Sequence, residues 1–432
     1  MSPFDRLSSP LSIGYYSPRW PLGMYPNGIV TYVSILTEQL KLQGHKTTIL
    51  ADAVAEGYQD PTVYDLHEVR MSISRKPVNR AIYGLWRRLA AHPANSHLYR
   101  RALVSTLRRA IGARKIEIVE MEETYGWARW LQEATLVPVC VRLHGPWFQV
   151  GPALGFAVDE GFRERVEQER RAIQNAAAVT APSRDILEKT RAFYGLELGD
   201  AEVIPNPTEP ATEHWRLDRA DPRRVLFIGR FDRLKGGDLV IDAFARVLQE
   251  VPEARLWFVG PDRGCGTNGR TWTIEEYVRD RLPDALESKR VEWLGPQPFS
   301  ALASLRRQAF VSVICSVYET FPNTVIESLA LGCPIVAANV GGIPEIVRDD
   351  VNGLLHRASD PVDLASKIIR LMKAPKMAAA LGQQGAIDCQ RAYYPEVITA
   401  RTVDFYRRVI ERAQARQKSD KDQPSKTGRI DS

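Results

Sequence analysis

Residues 310–347 read FVSVICSVYETFPNTVIESLALGCPIVAANVGGIPEIV. FVSVICS (310–316) is a short apolar run rich in β-branched residues, which suits a strand buried on both faces. Asn323 is a good helix cap, so the spacing predicts a helix that starts at Thr324 and runs to Leu331. PIVAANV (334–340) is the next strand. A strand, a helix and a strand in so few residues make a parallel crossover.

The pattern continues outward on both sides. RVLFIG (224–229), ARLWFVG (254–260) and VEWLG (291–295) read as strands. Asp238–Val251, FSALASLRRQ and PVDLASKIIRLMKA read as helices between and after them. In the first half, LSIGYYS (11–17) is a strand, and a loop with Gly23 and Gly28 follows. A helix then carries Ile29, Val33, Leu36 and Leu40 on one face, with Gly44 at its C-terminal cap. KTTIL (46–50), IEIVEME (116–122), VPVCVRL (137–143) and AVTAP (178–182) are further strands, the last leading into Ser183 as a helix cap.

The prolines at 205, 207 and 210 predict a hinge. The reading is therefore α/β with two Rossmann-like halves, 1–205 and 206–394. A helix follows over 395–413, and 414–432 is too poor in apolar residues to fold. Ligands in such sheets sit at the carboxyl ends of the strands, so the cleft between the halves is the expected site.

Composition narrows the classes. The chain has 432 residues, 44% hydrophobic and 25% charged, which excludes collagen, coiled coil and wholesale disorder. No apolar run approaches the ~18 residues of a membrane span, and no basic-then-apolar leader opens the chain, so the expectation is a cytoplasmic protein. Five scattered cysteines without C-x-x-C suit buried thiols in a reducing compartment, not a zinc site. The net charge is +6, yet residues 70–115 hold twelve Lys/Arg and no Asp or Glu, interleaved with Tyr83, Trp86, Leu98, Tyr99 and Leu103. Three readings stay open: a solvated face over core, a surface for anionic lipid head groups, or nucleic-acid binding. No nucleic-acid motif supports the last.

Two segments carry chemistry. Glu319 and Glu327 lie eight apart, one in the loop after a strand and one in the first turns of a helix. The amides of Thr324, Val325 and Ile326 lack helical partners, which favours an anion at that tip. Carboxylates beside it could grip ribose or sugar hydroxyls, although two surface glutamates around a capped helix would look the same. The other segment is GRFDRLKGG (229–237), where Arg230 and Lys235 stand in a glycine-rich turn that admits phosphate. It lacks the Walker A spacing.

Together these segments resemble the retaining glycosyltransferases of family 4, which have the GT-B architecture. Gly229, Arg230, Lys235 and Gly236, then Glu319 and Glu327, then Gly341, Gly342 and Glu345, then Asn352–Leu355, follow the family order. The resemblance is looser before residue 205, where Asn27-Gly28 stands for a Gly-Gly pair. It implies sugar transfer from a nucleotide diphosphate sugar, UDP- or GDP-linked, to a saccharide or lipid-linked acceptor in envelope polysaccharide or glycolipid synthesis, with no cofactor or metal. Arg230 and Lys235 would meet the diphosphate, Glu319 the sugar and Glu327 the ribose. His144, at the end of VPVCVRL, would line the cleft, and Glu123 with Tyr125 or Trp127 would shape an acceptor pocket. Gly28, Gly229, Phe321, Pro322, Asn323 and Thr324 complete the donor contacts. The last helix should cross back to the first half. Two other classes remain: a non-catalytic nucleotide-sugar or polysaccharide scaffold, and a polyanion binder acting through 70–115. GCGTNG (264–269) fits G-x-G-x-x-G, but three residues separate it from its strand, so a flexible loop is expected rather than a dinucleotide site.

Overall fold

The computed structural model describes residues 9–23, 27–75, 93–267 and 270–422. Seven strands form the first sheet: β1 (Ser12–Ser17), β2 (Lys46–Ala51), β3 (Val63–Asp65), β4 (Ile118–Glu122), β5 (Val139–Arg142), β6 (Ala178–Ala181) and β7 (Glu202–Val203). Their order is β3-β2-β1-β4-β5-β6-β7, parallel throughout. The second half has β8 (Asp221–Ile228), β9 (Arg255–Val259), β10 (Cys265–Thr267), β11 (Arg270–Trp272), β12 (Val291–Gly295), β13 (Ala309–Ile314), β14 (Ile335–Ala338) and β15 (Leu354–His356). Six of these build a second parallel sheet in the order β12-β9-β8-β13-β14-β15.

Apolar runs drive both sheets. Every residue of β13 is buried, and Phe310, Val311 and Val313 lie in one core with Val240, Phe244 and Ile368. Each such side chain contributes about 1.5–3 kcal/mol relative to exposure. Helix ends follow local chemistry. Asp360 accepts from Val362 N and Asp363 N at the start of Pro361–Lys373, and Gly44 (φ 84°) ends Gly28–Leu42.

In each sheet the strand order reverses once, between β1 and β4 and between β8 and β13. The loops that leave those strands therefore diverge and open a crevice. The chain passes between the domains twice, and Thr208 N donates to Tyr393 O at 2.9 Å where the two passes meet.

Several expectations change. The final helix runs Pro395–Asp422, nine residues beyond the expected end at 413. Ile398, Phe405, Tyr406, Val409 and Ile410 join the first domain's core, and Gln417 Nε2 reaches Leu136 O at 2.9 Å. Beyond 413 the helix continues as largely exposed polar turns that propagate from the docked part. Residues 423–432 lie outside the described residues. The helices Ile274–Arg281 and Pro375–Tyr393 were not foreseen. Ser183 precedes helix Arg184–Tyr194 but does not cap it with its side chain. The GCGTNG stretch opens an antiparallel hairpin, β10 with β11, instead of a flexible loop, and Asn268 and Gly269 lie outside the described residues.

The basic segment is described only in part, since 76–92 lie outside the described residues. Helix Pro93–Arg114 buries Leu98, Tyr99, Ala102, Leu103, Leu107 and Ala110 in its own domain. Its arginines cover that core from outside: Arg100 pairs with Glu133 at 3.0 Å and Arg109 sits over the Tyr64 ring. Here the solvated-face reading holds. Among the described residues no helix is long and apolar enough to cross a membrane.

Candidate active site at the interdomain cleft

The loop after β8 is organised by Asp232. Its carboxylate accepts from Arg230 Nε at 2.5 Å and from Lys235 N at 2.8 Å. Gly236 is left-handed (φ 71°), and a Cβ there would lie 2.2 Å from Cys315 O, so only glycine fits. Val317 N donates to Leu234 O at 2.9 Å. These contacts seat the loop on the end of β13. The result is that Lys235 Nζ meets Glu319 Oε1 at 2.5 Å, although 84 residues separate them. Ser316 Oγ donates to the same oxygen at 2.7 Å.

The Gly341-Gly342 turn closes over this loop. A Cβ on Gly341 (φ 54°) would stand 1.9 Å from Glu319 O, and Gly342 N donates to that carbonyl at 3.0 Å. Motif spacing thus has a steric cause: two glycines let one loop press on the backbone of the carboxylate-bearing loop.

Helix Asn323–Ala330 begins beside it. Asn323 is its first residue, Pro322 holds the capping position, and Val325 N turns back on Pro322 O at 3.1 Å. Asn323 therefore does not cap, and Val325's amide is already occupied. Its side chain instead accepts from Asn206 Nδ2 at 3.2 Å, and a Cβ on Gly28 would lie 3.8 Å from Asn323 Nδ2. Gly28 and Asn323 face each other across the cleft. Thr324 is half-buried at the helix start. Phe321 differs from expectation: its ring is buried edge-on against Tyr393, and Pro322 is buried too. Gly229 donates its N–H to Val259 O at 2.9 Å, beside Gly260.

Glu327 lies one turn into that helix, paired at 2.5 Å with Arg306. The pair floors a groove between helices Phe299–Gln308 and Asn323–Ala330, walled by Thr31, Ile35 and residues 207–212. Sequence reasoning missed Arg306. The signal was there: Arg306 stands four residues after Leu302 and seven after Phe299, inside an apolar helical stripe where a charge needs a partner.

The first domain supplies the opposite wall. His144 follows β5, and its ring is edge-on to Tyr32 at 5.3 Å. Burial, then Arg142, holds its pKa well below the usual 6.5, so the ring is neutral. Glu123 departs from the acceptor-pocket expectation. It is buried and accepts from His144 N (2.9 Å) and Gly145 N (2.7 Å), which makes it the anchor of the histidine loop. Tyr125 is half-exposed at φ 55°, with the Arg165 guanidinium 4.0 Å from its ring centre. Trp127 stacks on Tyr125 and packs toward Tyr99.

Contacts between the domains converge on residues 183–185. Ser183 Oγ donates to Thr320 O at 2.8 Å, which is why it does not cap its own helix. Glu345 does so from the other domain, accepting from Arg184 N and Asp185 N at 2.8 Å each. Tyr318 OH donates to Asp185 Oδ2 at 2.9 Å.

Two parallel α/β domains with cation, carboxylate and helix start at the switch point define a GT-B architecture. Residues 211–387 match the family described as glycosyl transferases group 1, and residues 27–207 match the glycosyl transferase 4-like domain. The chain belongs to the group 1 glycosyl transferases. Among curated proteins it is 32% identical over 251 residues to a D-inositol 3-phosphate glycosyltransferase of Streptosporangium roseum, covering 56% of this chain and 57% of that one. The Thermobifida fusca protein of the same name is 36% identical over 237 residues, 51% and 53% of the two chains. The chain thus spans a little over half the length of these relatives. Sucrose-phosphate synthase from Thermosynechococcus elongatus superposes over 93% of this chain and 100% of its own, with a TM-score of 0.68 and 21% identity. Anabaena HepE, solved with UDP and glucose, covers 91% and 98% with a TM-score of 0.62 and 17% identity. At such identities these neighbours share the fold.

Proposed function

We propose that this protein transfers a sugar from a UDP- or GDP-linked donor to a saccharide or lipid-linked acceptor, with retention at the anomeric carbon and without a metal, in envelope polysaccharide or glycolipid synthesis. The observation that carries the reading is the Lys235–Glu319 contact at 2.5 Å, beside the start of helix Asn323–Ala330. A cation and a carboxylate that neutralise each other in the cleft can exchange partners when a donor enters. Lys235 turns to the diphosphate and Glu319 to the sugar hydroxyls.

As the C1–O bond breaks, negative charge grows on the leaving phosphate. Lys235, Arg230 and the helix start stabilise that charge in place of a metal ion. Arg230 has to leave Asp232 to do so, and its half-exposed side chain has room to turn. Glu327 receives the ribose hydroxyls. The acceptor's proton passes to the departing phosphate on the same face of the sugar, so no protein base is required. His144, being neutral, acts as a hydrogen-bonding wall for the sugar and not as a cation. The contacts of residues 183–185 with 318–320 and 345 help exclude water from the closed cleft.

The relatives' name points to a phosphorylated acceptor, so inositol 3-phosphate belongs in the panel. A membrane location rests on the exposed arginines alone, because the described apolar face is core. Anionic vesicles that bind the protein at low salt and release it at high salt support that part, and failure at every salt removes it.

The test of the main reading is a panel of UDP- and GDP-sugars with saccharide, lipid-linked and inositol 3-phosphate acceptors, with and without chelator. Chelator-insensitive transfer with a retained anomer is expected. Nucleotide binding without turnover favours the scaffold reading, and no response to either nucleotide defeats both.

A further inference from the structure

We propose that Arg306 is a positioning residue for the donor's ribose. It pins one oxygen of Glu327 so that the other is presented to the ribose hydroxyls. The inference rests on the reading of Glu327 as the ribose contact and adds what makes that contact selective.

The geometry is specific. Arg306 is 2% exposed, and its Nη2 meets Glu327 Oε2 at 2.5 Å. A guanidinium stays protonated at any ordinary pH, so a buried one must be paired. Among the described residues, Arg306 Nε is buried with no hydrogen-bond partner. A fold seeking stability alone would place a leucine or methionine at this point of an apolar stripe. It would then avoid both a buried charge and an unmet donor. The arginine is nevertheless there, and it lines the same groove as Asn323 and Glu327, one turn apart on one helix face.

A glutamate on a helix surface samples several rotamers. Fixing one oxygen with a buried, planar cation removes most of that freedom before the ligand arrives. The remaining oxygen then accepts from a hydroxyl at little ordering cost. Among the described residues Arg306 is the one cation paired with Glu327.

Binding of nucleoside diphosphates, measured by calorimetry, tests this without any acceptor. The probes are UDP and GDP, each against its 2′-deoxy and 3′-deoxy forms. Wild type should bind at least one deoxy form about 10–100-fold more weakly, the range for a hydrogen bond to a charged group. Arg306→Gln should bind the parent nucleotide about 10-fold more weakly, and its penalty for the deoxy form should shrink to about 3-fold or less. Arg306→Lys, which keeps the charge, should recover part of the discrimination. The ratio of two affinities on one preparation is unaffected by its folded fraction, so a merely structural arginine would leave it unchanged. An undiminished penalty in Arg306→Gln overturns the proposal while the ribose reading stands. A wild type indifferent to both deoxy forms overturns the ribose reading and the proposal with it.

Discussion

The two walls of the cleft are built on different principles. In the second domain, the cation and carboxylates sit on loops shaped by glycines a few residues away: Gly236 against Cys315 O, Gly341 against Glu319 O. In the first domain, buried carboxylates brace backbone that is distant in sequence. Glu123 holds His144 and Gly145, and Glu169 accepts from Trp147 N at 2.7 Å and Tyr125 N at 3.3 Å. The donor wall is written as a local pattern, and the facing wall as a set of long-range buried hydrogen bonds. Function should therefore be lost at the first wall with the fold intact, and stability at the second.

The largest effect falls on the donor side. Lys235→Ala and Arg230→Ala should each lose about 2–4 kcal/mol of transition-state stabilisation, comparable to removing an oxyanion donor. Their denaturation midpoints should stay near wild type, since both side chains are partly exposed. Near-normal turnover in both variants would end the proposed mechanism. A large loss of stability would erase the contrast between the walls.

Glu123→Ala is the counterpart. It strands two N–H donors, at about 1–3 kcal/mol for each buried donor left unmet. Urea unfolding should show the loss directly. Wild-type stability would mean that the histidine loop does not depend on its anchor.

This division explains what was legible in the sequence. The α/β alternation follows from local pattern. The crossing-back helix and the placing of the glycine loop and Glu319 in one cleft followed from the family resemblance, and the Lys235–Glu319 contact itself was not foreseen. Glycines that must tolerate contact leave a sequence signature. Glu123 and Glu169 leave none, because a glutamate at a strand end or on a helix reads as surface until the fold encloses it. Arg306 is an intermediate case: its place in the apolar stripe of Phe299 and Leu302 marks a charge that needs a partner, but that partner, Glu327, is 21 residues away. The extension of the last helix to Asp422 escaped because its final turns are polar and largely exposed, so no apolar pattern marks them.

The buried carboxylates also make the first domain's wall sensitive to pH. Burial, then repulsion from Glu123, pushes Glu122 up to about 8, and the same two causes push Glu169 up to about 7 against the pull of Arg165. Both acids hold their protons more tightly folded than unfolded. Their stabilising contribution is full below the ordinary value of 4.5 and is lost as pH rises through about 7 and 8. Unfolding free energy should therefore decline between pH 5 and 8, by up to about 1.4 kcal/mol per pH unit for one group. Glu122→Gln should flatten part of that slope. Stability that stays level over this range would show that the two groups are already ionised in the native protein at pH 5.

The smallest effect is expected where the two walls touch. Glu345 belongs to the glycine-rich pattern of the second domain, yet its carboxylate caps helix Arg184–Tyr194 of the first. It replaces Ser183, whose hydroxyl is engaged with Thr320 O. Glu345→Ala leaves the amides of Arg184 and Asp185 to water, so the cost should be that of an exposed helix cap, about 0.5–2 kcal/mol. Because the cap is shared, that cost should appear as looser association of the domains rather than as unfolding of either one. X-ray scattering in the presence of UDP should give a larger radius of gyration for Glu345→Ala than for wild type. Glu345→Gln, which keeps one acceptor oxygen, should lie between them. Equal radii for all three would mean that the remaining contacts, Tyr318 to Asp185 and Ser183 to Thr320, already suffice to hold the walls together.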